Sequence, residues 1–118
     1  MVENRELQLP DNQGEEVMDT LAKRIRSLGE ECGMVFRLVD EKGIPYDGEL
    51  EFDIPQLIIA LSKATGSRSS TVVNGTQITA LYLDGIRKSS YLIVLGEFLE
   101  DNAYRLLKTV IESHEANL

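Results

Sequence analysis

The chain has 118 residues, 12 of them Lys or Arg and 20 Asp or Glu, giving a formal net charge of −8; that length fits one domain. Such an acidic chain repels phosphate backbones and anionic lipid surfaces, so neither nucleic acid nor a membrane is an expected partner. A single Cys and a single His exclude an internal disulfide and a Cys- or His-rich metal cluster, and the lack of Trp with few other aromatics argues against a base-stacking platform.

Residues 1–13 are polar, contain Pro10 and precede Gly14. They read as a flexible leader to a single domain over residues 14–118. They lack the basic-then-apolar pattern of a signal peptide. Apolar runs such as Tyr91 to Leu95 fall far short of the roughly 18 residues of a membrane span. The expected location is cytoplasmic.

A first helix is predicted from Glu15 to Leu28, where Val17, Met18, Leu21, Ile25 and Leu28 recur at helical spacing and Gly29 supplies a stop. A strand follows from Gly33 to Val39 and ends at the turn Asp40-Glu41-Lys42-Gly43. Ile44 to Phe52 reads as a second, antiparallel strand; Pro45 cannot donate to a ladder and places it at an edge. Asp53-Ile54-Pro55-Gln56 reads as a helix start, with Asp53 as cap and Gln56 in the capping-box position. The helix carries Leu57, Ile58, Leu61 and Ala64 on one side, with Ile59 and Ala60 widening its apolar surface, and Gly66 closes it.

Three short strands come next. Thr71-Val72-Val73 leads into Asn74-Gly75, the strongest short hairpin signal. Thr76 to Leu83 alternates, Asp84-Gly85 is a second hairpin signal, and Tyr91 to Leu95 is apolar throughout, as a central strand covered on both faces should be. A final helix from about Glu100 to Glu115 buries Ala103, Leu106, Leu107, Val110 and Ile111. The predicted fold is α+β, in the order α-β-β-α-β-β-β-α. It is a five-stranded antiparallel sheet with helices 1 and 3 on one face and helix 2 on the other.

The chemistry-bearing residues point to binding rather than catalysis. Asp47, Glu49, Glu51 and Asp53 recur every second residue and would share one face of a strand, where charge discourages edge-to-edge aggregation. Asp40-Glu41-Lys42-Gly43 fails as a calcium loop, because a cation sits inside it and no bidentate Glu follows. Cys32 follows two glutamates, which would raise a thiol pKa. His114 stands alone in the last turn of a helix, where a cation suits the dipole. Gly66-Ser67-Arg68-Ser69-Ser70 lacks the Lys and the strand–loop–helix order of a phosphate loop. No catalytic residue, cofactor site or metal site is assigned, and the protein is expected not to be an enzyme.

The edge strand at Thr71-Val72-Val73 has β-branched residues and few charges, which invites pairing with another chain. The preceding helix is apolar on more than one side. Together they predict a two-fold, self-complementary interface, with Leu57, Ile58, Leu61, Ser70, Val72 and Asn74 as its residues.

The element order over residues 15–116, the run Met34-Val35-Phe36-Arg37-Leu38-Val39-Asp40-Glu41-Lys42-Gly43-Ile44-Pro45, and the segment Ser70 to Glu97 resemble the roadblock / dynein light chain family, whose fold is close to longin and profilin-like sandwiches. The first run looks like that family's opening hairpin and the second like its last three strands. The resemblance implies a homodimer, or a heterodimer with a paralogous domain, formed through the second helix and the middle edge strand. It also implies a non-enzymatic role, as a dynein-associated light chain or as a scaffold or regulator of small Ras-like GTPases. The second helix is shorter and less Ala-rich than is usual there, so no GTPase-contact residue carries over. Two other functions fit parts of the same pattern: an acidic, dimeric secretion-type chaperone, and a small-ligand sensor domain. The few aromatics offer little to line a pocket for the latter.

Overall fold

The computed structural model describes residues 2–31, 33–83, 89–96 and 109–113, with side chains from Val17 onward. Helix α1 spans Val2–Glu31, strand β1 Val35–Val39, helix α2 Gln56–Thr65, and strands β2, β3 and β4 Arg68–Val73, Thr76–Leu83 and Ser90–Leu95. Residues 109–113 are helical. The strands form one antiparallel sheet in the order β1-β4-β3-β2. β4 lies inside it, and Ser90 to Val94 are buried on both faces.

Alternation along the strands sorts the core into two layers. On one face Phe36, Leu38, Leu81, Leu83, Leu92 and Val94 meet Met18, Leu21, Ala22 and Ile25 of α1, together with Ile111. On the other, Val39, Ile78, Ala80, Tyr91 and Ile93 meet Ile58 and Ile59 of α2.

The predicted eight-element order and five-stranded sheet are corrected to four strands. Ile44 to Phe52 is not a strand. Its only ladder contact among the described residues is an isolated antiparallel bridge between Val39 and Pro45. Pro45 offers no N–H to extend that pairing, and Gly48, at φ 68°, turns the chain away. The first helix runs well past its predicted limits and takes in residues 2–13, the segment expected as a leader. The last helix is described only over 109–113. The Asp84-Gly85 turn, Cys32 and His114 lie outside the described residues.

Both long helices end in the same hydrogen-bonded motif. Met34 N–H donates to Gly29 C=O and Gly33 N–H to Glu30 C=O, at 2.8 and 3.1 Å, with Gly33 at φ 71°. These are the six-to-one and five-to-two bonds of a Schellman cap, so the stop is Gly33 and not Gly29. In α2, Ser67 N–H donates to Ser62 C=O and Gly66 N–H to Lys63 C=O, with Gly66 left-handed. The predicted cap at the start of α2 is also corrected. Pro55 holds the cap position with no side-chain bond, and Gln56 reaches away to donate from Nε2 to Lys42 C=O at 2.8 Å. That bond ties the helix to the turn after β1, which Asp40 Oδ1 organises by accepting from the N–H groups of Lys42 and Ile44.

Candidate interaction surface

Helix α2 has two apolar sides, and the fold buries the less regular one. Ile58, Ile59 and Ser62 face the sheet. Leu57, Ala60, Leu61 and Ala64 face solvent. These four follow the i, i+3, i+4, i+7 spacing of a single helix face. Leu57 is 67% exposed and Leu61 44%. An apolar stripe of this regularity is normally what a helix puts into its core. Here it is left in water, on a helix that packs over β2 and β3 beside the edge of the sheet.

Strand β2 is that edge. Its hairpin turn, with Asn74 at φ 52° and Gly75 at φ 81°, has the paired positive φ of a two-residue type I′ connection. Val73 and Thr76, which flank it in register, are then the hydrogen-bonded pair. The antiparallel alternation directs the main-chain groups of Val72 and Ser70 outward, away from β3. Val72 is 64% exposed, and Val73 is also exposed. The register places their side chains on opposite faces. Val73 shares the α2 face with Ile78 and Ala80, whereas Val72 shares the α1 face with Leu81.

Of the predicted interface residues, Leu57, Leu61, Ser70, Val72 and Asn74 are thus exposed around one edge. Ile58 is not; at 2% exposure it belongs to the core. Ser70 Oγ lies 2.7 Å from Thr79 Oγ1 on the neighbouring strand, so its hydroxyl is already engaged within the sheet. The sequence reading did not single out Ala60, Ala64 and Val73 as interface residues. Helical spacing from Leu57 finds the two alanines, and alternation along β2 finds Val73.

The opposite edge is closed. Along the outer side of β1, Asp40 N–H donates to Ile44 C=O and Tyr46 N–H to Leu38 C=O. Arg37 Nη1 donates to Phe36 C=O at 2.8 Å. The acidic residues predicted for a strand face lie in the loop that makes this cover. Asp47 Oδ2 accepts from Arg26 Nε at 3.1 Å, and Glu51 Oε2 from Arg37 Nη2 at 3.2 Å. Glu49 and Asp53 are exposed. The sheet therefore offers one open edge and one covered edge, and the open one adjoins the apolar stripe.

Two phenols in the core layers are perturbed mainly by burial. The phenol of Tyr91, buried beside Tyr82 with ring centroids 5.5 Å apart, is pushed above its ordinary value by burial, then by Tyr82 and Glu41. Burial also raises Tyr46, against the effect of its hydrogen bond with Ser90. Among the described residues, no group of three or more His, Cys, Asp or Glu is placed to hold a metal ion. No described helix is long and apolar enough to cross a membrane. No family model, curated protein or solved structure matches the chain.

Proposed function

We propose that the protein is a non-catalytic interaction module. It pairs two-fold with a second copy, or with a paralogous domain, through α2 and the β2 edge. The pair scaffolds or regulates a small Ras-like GTPase or a motor-complex subunit. The observation that carries the pairing is the solvent-facing stripe Leu57, Ala60, Leu61 and Ala64 beside the open edge at Ser70 and Val72. The partner class rests on the resemblance of residues 34–45 and 70–97 to roadblock domains. This reading gives the protein no reaction of its own.

Magnitudes indicate how such a pair would hold. A fully buried Leu contributes about 1.5–3 kcal/mol, so four leucines from two copies contribute at most about 6–12 kcal/mol. Association costs on the order of 4–15 kcal/mol in lost freedom. The helix stripe alone is marginal, and the pairing needs main-chain hydrogen bonds across the β2 edge as well. Breaking either part should therefore separate the pair.

The test of the partner class is retention of purified Ras-like GTPases, loaded in turn with the di- and triphosphate nucleotide, on the immobilised full chain. Retention in one nucleotide state and not the other supports the reading. No retention in either state removes the GTPase branch. Capture of an unfolded secreted segment instead would favour the chaperone.

A further inference from the structure

The segment 45–54 crosses the outer edge of β1 from one face of the sheet to the other. Tyr46 packs with the layer under α1. Leu50, Phe52 and Ile54 pack with the layer under α2. Two arginines from different elements hold the crossing. Arg26 of α1 donates from Nε to Asp47 Oδ2 and from Nη2 to Asp47 C=O, both at 3.1 Å, and its Nη1 lies 3.8 Å from Glu51 Oε1. Arg37 of β1 donates to Glu51 Oε2 at 3.2 Å. Gly48, at φ 68°, lets the chain pass beside Arg26; a Cβ there would lie 3.5 Å from Nη2. The crossing segment satisfies Leu38 C=O of the β1 edge with a single main-chain bond from Tyr46 N–H rather than with a ladder, whereas Asp40 N–H is held by Ile44 C=O within the preceding turn.

From this we infer that residues 45–54 form an ionic strap that masks a second pairing edge. When the strap is held, the protein has one open edge and its assembly stops at a pair. When the strap is released, Leu38 C=O at the β1 edge becomes available, and a strand of a second copy takes the place of Tyr46. An open edge is a template for strand addition. Two open edges on one molecule make a contact that need not close. The charges fit this role. Glu51 is mostly exposed, whereas Asp47 and both arginines are largely covered, so the outer pair gives way before the inner one.

The test pairs an isosteric neutralisation with a matched control. Asp47→Asn with Glu51→Gln removes the strap's charges. Glu49→Gln with Asp53→Asn removes as much charge from exposed neighbours. Both are made in a Val72→Lys background, which blocks the β2 edge, so that association reports on β1 alone and is independent of the proposed pairing. Amide exchange at Tyr46 reads the strap. Exchange at Ala80 and Ile93 reads the sheet, and light scattering reads assembly. The expected result is at least tenfold faster exchange at Tyr46 in the strap variant, unchanged exchange at Ala80 and Ile93, and a mass above that of the control. Unchanged exchange at Tyr46 would overturn the inference, as would an opened strap that leaves the mass at the control value. Should the double variant lose the whole sheet, Glu51→Gln alone is read in the same way.

Discussion

An alanine at Gly29 would bring its Cβ to 2.9 Å from Cγ of Phe36 and 3.0 Å from Met34 C=O, closer than a packed core tolerates. Gly29 thus sets how near α1 lies to β1. Gly29→Ala should lower stability by about 1–3 kcal/mol through overpacking, read as a lower melting temperature in circular dichroism. Tyr91 presents the opposite case. Its hydroxyl is buried with no hydrogen-bond partner among the described residues, and a buried unpaired hydroxyl carries a desolvation cost that Phe does not. Tyr91→Phe should be neutral, or stabilising by up to about 1 kcal/mol, in urea unfolding at neutral pH. The pH dependence has a definite sign. Burial raises the folded-state pKa of Tyr91 and Tyr46 above the ordinary 10.0. Their contribution is therefore complete below pH 10 and is lost as pH rises through the folded values. Tyr91→Phe should retain more of its neutral-pH stability above pH 10 than the unaltered chain does. An identical alkaline profile for the two would contradict this.

At the scale of the element, α2 carries its core contacts on one side and the apolar stripe proposed for pairing on the other. Ile58→Ala should cost about 2–5 kcal/mol of stability, because it opens a cavity in the layer beneath. Leu57→Asp should leave the stability of the single chain within about 0.5 kcal/mol, as exposed substitutions do, and should abolish pairing. Denaturant titration at micromolar concentration, with solution mass measured alongside, distinguishes the two. This division was only half legible in the sequence. Gln56 to Thr65 reads as a helix from its spacing, but both sides are apolar, and only the packing shows that Ile58 and Ile59 go inward. The Asn74-Gly75 hairpin was legible because its chemistry is local: two adjacent residues that accept positive φ. The stretch from Ile44 to Phe52 misled for the reverse reason. Its alternation imitates a strand, yet Arg26 and Arg37 decide its course from 21 and 14 residues away, a distance that periodicity does not see. Gly29 misled in a similar way. Glycine marks helix ends, and here Phe36 needs the space within the helix.

For the whole molecule, the two sheet edges make the decisive contrast. One is capped by a turn, an arginine and a strap; the other exposes Ser70 and Val72 next to the outward face of α2. Val72→Lys, which places a charge on the open edge as natural sheets do to block association, should separate the pair as completely as Leu57→Asp does. The first measurement to make is the solution mass of the unaltered chain, by light scattering after size exclusion across a concentration series. A single chain weighs 13.2 kDa. A mass near twice that value, falling to the single-chain value with Val72→Lys, is the expected result. A mass of 13.2 kDa at every concentration would contradict pairing with a second copy.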